Sequence, residues 1–148
     1  DGALSYIRDV LLPGAESGRL MTWGLHLKNG SSGVIGLLEY RLGQEPDENG
    51  LTDHRGFWLA REHQGRGYMT EAVFAFQDYV FFELGVESIT VHNAKTNGAS
   101  RRIKHKTGGV YKGIVEMDHH EGGRETEQWE LTREGWAAFR EREKEPGG

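Results

Sequence analysis

The sequence predicts an α/β protein of the α+β type, in which helices flank a mixed, mostly antiparallel and twisted sheet. Short apolar runs of strand length alternate with loops rich in glycine and polar residues. Other segments carry apolar residues at three- and four-residue spacing, which is typical of amphipathic helices. The predicted order is helix, three strands, helix, strand, helix, two strands and helix, and it is not a regular alternation of strand and helix.

The first half of the chain is predicted to contain a short helix and three strands. Leucine and isoleucine spacing predicts the helix over residues 1–12, ended by Pro13. Apolar runs over 23–28 and 34–42, separated by Asn-Gly-Ser-Ser-Gly, are typical of a β-hairpin. Residues 56–60 predict a third strand with apolar side chains on both faces, so we expect both faces to be covered.

The second half is predicted to hold three helices and three strands. Helical spacing of apolar residues predicts a helix over 69–84, closed by Gly85. The following strand, basic helix and hairpin strands are predicted at residues 88–92, 100–106, 110–117 and 126–131. A last helix should start at Thr132, and residues 143–148 are expected to form a disordered tail.

Length and composition exclude several classes of protein. The 148 residues fit one domain, so we expect a single domain over 1–148. The chain has no cysteine, which excludes disulfide frameworks, thiolate zinc sites and cysteine nucleophiles. Its 18 basic and 23 acidic residues give a net charge of −5, which argues against general nucleic-acid binding. No apolar run reaches the ~18 residues of a membrane span, so we expect a cytoplasmic protein without a membrane partner.

The strongest functional signal is the glycine-rich turn between the third strand and the next helix. Residues 64–70 read Gln-Gly-Arg-Gly-Tyr-Met-Thr. Gly65 and Gly67 allow a tight turn and a close backbone approach to a ligand, and the N–H groups that open a helix favour an anion. The alternative is that the glycines only make the turn. The sequence matches neither a Walker A loop nor the dinucleotide fingerprint.

Two motifs resemble one known family. Residues 64–72 resemble motif A of the GNAT acetyltransferases, most closely the ribosomal-protein-alanine N-acetyltransferase (RimJ/RimL) branch. Residues 97–103, Asn-Gly-Ala-Ser-Arg-Arg-Ile, and the following Lys-Thr-Gly-Gly are similar to that branch's Asn-x-x-Ser-x-x-Val-x-x-Lys-x-Gly pattern. The two motifs stand at the family's separation, and the resemblance runs from about residue 20 to the end.

The resemblance implies the GNAT fold, with acetyl-CoA as cofactor and CoA as product. It implies that strands near 57–60 and 88–92 run parallel and diverge at the cofactor. It also implies that the family's first strand and helix, which precede the segment matching residues 1–12, are missing from this chain. The cofactor contacts it implies are Trp58, Leu59, Ala60, Gln64, Gly65, Arg66, Gly67, Tyr68, Met69, Thr70, Asn97 and Ser100. Asn97 and Ser100 also suit the turn and N-cap of the basic helix.

The acceptor implied by the resemblance is a primary amine, either a protein N-terminus or a small molecule. Direct attack in a ternary complex is expected, because the chain has no cysteine to carry an acetyl group. His54 stands where family members often carry a glutamate base, and its reference pKa near ~6.5 suits that task. An exposed loop histidine is the alternative. Glu39 and His92 are further candidate bases.

Departures from the family pattern keep other functions open. Met69 stands where the pattern has glycine or alanine, and Lys104 stands where many members carry a tyrosine acid. A non-catalytic CoA-binding or regulatory module is therefore the second hypothesis, and a nucleotide-binding domain is the third. A homodimer is left open. We expect no metal at His119 and His120, because neighbouring strand residues point to opposite faces.

Overall fold

The computed structural model describes residues 20–28, 33–41, 45–48, 50–117 and 125–144. The chain divides into two compact units, residues 1–66 and residues 67–148. The predicted helix over residues 1–12 and the His119–His120 pair lie outside the described residues. The single domain expected from the length stays a prediction, and the two units are described separately below.

The first unit contains a three-stranded antiparallel sheet. Its strands are β1 (Leu20–His26), β2 (Val34–Arg41) and β3 (Arg55–Leu59), in the order β1-β2-β3. The central strand β2 carries buried Leu38, which pairs in register with Trp23 on one side and with Phe57 on the other. The apolar runs of the sequence therefore predicted these three strands, and β3 lies at an edge of its sheet.

The sheet of the second unit is also antiparallel. It consists of β4 (Ser88–Ala94), β5 (Val110–Glu116) and β6 (Glu125–Thr132), in the order β4-β6-β5. The predicted strands are confirmed here. The fold class is confirmed as well, although every described strand pair is antiparallel where a mixed sheet was expected.

Three helices complete the second unit. They are α1 (Tyr68–Asp78), α2 (Gly98–Lys106) and α3 (Arg133–Glu143). The predicted helix over 69–84 continues beyond α1 as one π-helical turn, Tyr79–Glu83, before left-handed Gly85 ends it. The predicted cap of α3 is confirmed, because the Thr132 hydroxyl accepts the N–H of Gly135 at 3.0 Å.

The C-terminal boundary was predicted one residue too early. Helix α3 runs to Glu143, the first residue of the expected tail, and Lys144 follows it as the C-cap. Two ion pairs stabilise this last turn: Arg140 with Glu143 at 3.0 Å and Lys144 with Glu141 at 3.3 Å. Among the described helices, none combines the length and the apolar character that crossing a bilayer would require.

Candidate functional site

The glycine-rich turn between β3 and α1 has a left-handed backbone at both glycines. The φ angles are +78° at Gly65 and +83° at Gly67. A Cβ placed at either position would have no atom of the described residues within 4 Å. The backbone conformation therefore requires glycine, whereas packing does not. Gln64 ties the turn to the strand before it, because its side-chain N–H donates to the carbonyl of Leu59 at 2.8 Å.

Helix α1 begins directly on this turn. Gly67 is its N-cap, and no side chain within the described ranges caps it. The N–H of Glu71 donates to the carbonyl of Gly67 at 3.0 Å and forms the first intrahelical hydrogen bond of α1. The N–H groups of the residues between them have no acceptor within the helix itself. Such groups, together with the helix dipole, suit an anion. The Met69 side chain is only 4% exposed, so it packs into the core of its unit.

Strand β3 places the predicted contacts Trp58, Leu59 and Ala60 at a sheet edge. The Trp58 side chain is strongly exposed, with 59% of its surface accessible. The N–H of Ala60 donates to the carbonyl of Ile35 at 2.8 Å and so extends the pairing with β2 by one residue. Among the described strands β2 alone pairs with β3, so β3 is an edge strand of its sheet.

Asn97 and Ser100 meet in the first turn of α2. The Asn97 side-chain oxygen accepts the N–H of Ser100 at 3.1 Å, which confirms the N-cap alternative for Asn97. Ser100 is buried, with 7% exposed, and its hydroxyl accepts a hydrogen bond from the Lys104 ammonium at 2.7 Å. Lys104, the residue at the family's acid position, is itself only 1% exposed.

A buried polar network lies between α2 and the second sheet, and sequence reasoning missed it. The Glu127 carboxylate accepts from the Asn93 amide at 2.8 Å and from Arg101 Nε at 2.7 Å. The Asn93 oxygen accepts in turn from the Trp129 ring N–H at 3.0 Å. Burial alone would raise the pKa of Glu127, but the hydrogen bonds from Arg101 and Asn93 and the charge of Lys104 lower it.

Two candidate bases, Glu39 and His54, lie on the same face of the first sheet. Glu39 pairs in register with Gly56, and the N–H of Arg41 donates to the His54 carbonyl at 2.8 Å. Side chains directly opposite each other in an antiparallel pair share a face, and side chains two residues apart along a strand do so too. Glu39, His54 and exposed Trp58 therefore point to the same side.

The Glu39 carboxylate is held in an ion pair. It is only 7% exposed, and its Oε1 accepts from Arg41 Nε at 3.1 Å and from Nη2 at 2.5 Å. Arg41 also donates to the Asp53 carboxylate at 2.9 Å, so two acids share one guanidinium. Gly56 leaves the space for this contact, since a Cβ there would lie 2.8 Å from Glu39 Oε1.

The third candidate base, His92, belongs to the second unit. It lies on β4 with 9% of its surface exposed, and its Nε2 is 3.3 Å from the side-chain oxygen of Gln128. The structure therefore brings Glu39 and His54 together on one sheet face and places His92 on β4.

Two further ionisable groups lie on the opposite face of the first sheet. Burial lowers the pKa of Arg55 to about 10, a shift that the nearby Asp53 charge opposes, so the guanidinium stays protonated at neutral pH. It lies 5.5 Å from the ring centre of Phe57. Burial also raises the pKa of the Tyr40 hydroxyl. Over the described ranges, histidine and carboxylate side chains form no cluster that could hold a metal ion.

Comparison with known proteins decides the family. Residues 1–110 match the family described as the acetyltransferase (GNAT) domain. The chain belongs to this family. A curated relative, the probable N-acetyltransferase YjcK of Bacillus subtilis (strain 168), is 39% identical over 60 residues, or 40% of this chain. The match spans 33% of the length of that relative.

Solved structures confirm the predicted GNAT fold for this member of the family. A chimera of the spermidine N-acetyltransferase SpeG from Vibrio cholerae and hSSAT superposes with a TM-score of 0.71 at 16% identity, covering 90% of this chain and 78% of the other. The ribosomal-protein-S5-alanine acetyltransferase of Vibrio fischeri gives 0.67 at 19% identity, covering 85% and 68%. Mycobacterium smegmatis RimJ in complex with CoA-disulfide gives 0.71 at 20% identity, covering 90% and 62%.

Proposed function

We propose that this chain is an N-acetyltransferase that moves the acetyl group of acetyl-CoA to a primary amine by direct attack in a ternary complex. Membership of the GNAT family supports acetyl transfer. The observation that carries the cofactor assignment is the left-handed turn at Gly65 and Gly67, which opens α1 without a side-chain cap among the described residues. A helix start of this kind suits the pyrophosphate of a CoA molecule.

The proposed cofactor contacts lie on this turn, on β3 and at the start of α2. We assign the pyrophosphate to the backbone of residues 64–70, with Arg66 as a nearby cation. The pantetheine arm is assigned to the exposed edge of β3 at Trp58, Leu59 and Ala60, where its amides can pair with the strand. Asn97 and Ser100 at the start of α2 are assigned as further contacts.

The chemistry needs an uncharged amine. A free α-amine has a pKa near ~8 and a lysine amine one near ~10.4, so the α-amine loses its proton at a smaller free-energy cost. The amine nitrogen attacks the thioester carbon, its proton passes to a base, and the C–S bond breaks to leave a thiolate that takes up a proton. We propose His54 as the base, directly or through water. Glu39 is less suited, because its Oε1 already accepts twice from Arg41.

The acceptor class is proposed from the chemistry and from the relatives together. The structural neighbours include a spermidine N-acetyltransferase and a ribosomal-protein-S5-alanine acetyltransferase. The acceptor of this chain is accordingly a protein N-terminus or a small-molecule amine.

A thiol-release assay tests the proposed reaction. The chain is incubated with acetyl-CoA and a panel of spermidine, lysine and peptides with free N-termini, and released CoA is measured. We expect release with at least one amine and intersecting double-reciprocal plots. Parallel plots would contradict the ternary complex. Thermal stabilisation by ATP or NAD without stabilisation by CoA would overturn the cofactor assignment, since saturating ligand should add about 2.7 kcal/mol at a hundredfold its Kd.

A matched pair of glycine variants tests the cofactor turn. Gly65→Ala and Gly85→Ala each force an alanine into a left-handed backbone, at φ +78° and +71°, so both should lose similar stability. Only Gly65 belongs to the proposed phosphate turn. We expect KM for acetyl-CoA to rise in Gly65→Ala and to stay unchanged in Gly85→Ala. Equal KM values in the two variants would remove the turn from the cofactor site.

A second candidate function is a non-catalytic CoA-binding module. The observation that favours it is Lys104, which stands at the position of the family's acid and is buried against Ser100. Such a module would bind CoA in a calorimetric titration but release no thiol with any amine. Both functions therefore predict CoA binding, but only the acetyltransferase predicts the release of thiol with an amine.

A further inference from the structure

The buried Glu127 carboxylate connects the central strand of the second sheet to α2. It is 9% exposed and lies on β6, while both of its charged neighbours lie on α2. Arg101 Nε donates to it at 2.7 Å, and the Lys104 ammonium is close enough for its charge to stabilise the ionised carboxylate. Because Arg101 and Lys104 are three residues apart on a helix, they face the same side.

Side chains of the sheet also hold the Glu127 carboxylate in place. The Asn93 amide uses its NH₂ group on Glu127 and on the carbonyl of Ala94, at 2.8 and 3.0 Å. Its oxygen accepts from the Trp129 ring at 3.0 Å, and Trp129 is 1% exposed. A carboxylate held by a buried polar network has little freedom to move, so the residues of α2 that bind it are held at a fixed position relative to the sheet.

Arg101 and Lys104 each form a hydrogen bond to the start of α2 or to the loop before it. Arg101 also donates to the carbonyl of Lys95, in the loop that leads into the helix. The Lys104 ammonium can only donate, so the Ser100 hydroxyl must accept its 2.7 Å hydrogen bond. The hydroxyl hydrogen of Ser100 then points away from Lys104 and can be donated to another group.

We propose that Glu127 is a positioning residue for the cofactor: through Arg101 and Lys104 it holds the first turn of α2 so that Asn97 and the Ser100 hydroxyl are presented to acetyl-CoA. The inference rests on the proposed function, which assigns Asn97 and Ser100 as cofactor contacts. Glu127 itself contacts neither the cofactor nor the acceptor in this proposal. Its role is to set the position and the donor direction of the groups that do.

The test compares Glu127→Gln with Glu125→Gln in the full chain. Both changes remove one negative charge from β6, but Glu125 is exposed and pairs with exposed Lys95 at 3.2 Å. We expect Glu127→Gln to raise the Kd of CoA and the KM of acetyl-CoA about tenfold, the size of one lost charge-assisted hydrogen bond. The kcat at saturating acetyl-CoA should change by less than about twofold. Glu125→Gln should change neither constant.

A destabilised control separates positioning from general loss of stability. Trp136→Phe removes the 2.9 Å hydrogen bond from the Trp136 ring to Asp78, which joins α3 to α1. We expect this variant to lower Tm without raising KM for acetyl-CoA. An equal KM increase in Trp136→Phe and Glu127→Gln would overturn the proposal, because it would show that stability alone sets cofactor affinity.

Lys104→Met provides a second route if Glu127→Gln does not fold. It leaves Arg101 in place beside Glu127 and removes the donor to Ser100, so KM for acetyl-CoA should rise while Arg101 still holds the helix. Failure of the wild-type chain to bind CoA would contradict the proposed function. Binding by the wild type with an unchanged Kd in each of the two variants, Glu127→Gln and Lys104→Met, that folds would contradict only the positioning role.

Discussion

Each unit of this chain holds a buried carboxylate in contact with an arginine, but the two ion pairs are built differently. In the first unit Glu39 pairs with Arg41, two residues along the same strand, and Asp53 shares the guanidinium. In the second unit Glu127 on β6 pairs with Arg101, which lies on a helix 26 residues earlier in the chain. One pair is a local arrangement within a sheet, and the other joins a helix to a sheet.

This difference predicts unequal responses to the loss of each acid. Arg41 keeps Asp53 when Glu39 is removed, so its charge remains compensated. Removal of Glu127 takes away the carboxylate that faces both Arg101 and the fully buried Lys104. We therefore expect the loss of Glu39 to be tolerated better than the loss of Glu127.

The largest effect is expected from Glu127→Ala. This variant removes the carboxylate that offsets the charge of the buried Lys104 ammonium, and a buried charge left uncompensated costs about 3–5 kcal/mol of unfolding free energy, whereas Arg101, at 37% exposed, can be solvated. Glu39→Ala should cost less, about 1.5–3 kcal/mol, the value of a hydrogen bond between charged groups, because Asp53 still compensates Arg41. Urea denaturation followed by tryptophan fluorescence measures both values. Equal losses in the two variants would show that the two ion pairs are energetically equivalent.

An intermediate effect is expected from Gly56→Ala. The new Cβ would lie 2.8 Å from Glu39 Oε1, so the Glu39–Arg41 pair has to move, and overpacking of this kind costs about 1–3 kcal/mol. Gly24→Ala in the same sheet is the control, because its Cβ would meet nothing closer than 3.5 Å. The measurement is again the unfolding free energy. A Gly56→Ala variant as stable as Gly24→Ala would mean that the pair relaxes freely.

A smaller effect is expected from pH. The pKa of Glu127 is lowered in the folded state, since the hydrogen bonds from Arg101 and Asn93 and the Lys104 charge outweigh its burial. The ionised form therefore stabilises the fold above the ordinary carboxyl pKa of ~4.3, and this contribution disappears as pH falls through the lowered value.

Denaturation of the wild type and of Glu127→Gln at a series of pH values measures this contribution. The stability difference between them should be full at pH 7 and shrink as the pH falls below ~4.3. It should stay below the loss in Glu127→Ala, because the glutamine side chain can still form hydrogen bonds and alanine cannot. If the stability difference instead grows on acidification, the pKa of Glu127 is not lowered in the folded state, and the assigned direction of the shift is wrong.

The smallest effect is expected from Glu125→Gln. Glu125 and Lys95 are 64% and 56% exposed, and solvent-exposed pairs contribute at most about 1 kcal/mol. We expect a change in unfolding free energy within about 0.5 kcal/mol. A loss as large as that of Glu127→Ala would mean that charge on β6, independent of burial, controls stability.

The sequence predicted most of the elements and the turn that carries the proposed cofactor site. The spacing of apolar residues placed every described strand within a few residues of its bounds, because side-chain periodicity is a local property. It did not predict the π-helical turn Tyr79–Glu83 or the last residue of α3, Glu143. Those depend on backbone bonds and ion pairs at helix ends, which leave little trace in apolar spacing.

The sequence also predicted the part of the candidate site that depends on local residue patterns. Gly65, Gly67 and Asn97 were recognisable, since left-handed turns and N-caps require particular residue types at particular positions. Glu127 was not recognised, because a single glutamate on a predicted strand carries no sign of a partner 26 residues away. Alternation along the late strand, with Trp129 and Leu131 on the same face as Glu127, was the one available signal that this acid points inward.

The sequence by itself therefore determined the features that depend on neighbours along the chain: the strands, the left-handed glycine turn before α1, and the caps at Asn97 and Thr132. Tertiary structure alone decided that Met69 packs into the core, that Arg41 is shared by Glu39 and Asp53, and that Glu127 meets α2. The physical reason is that strand register and helix docking, and not residue type, select the partner of a buried charge.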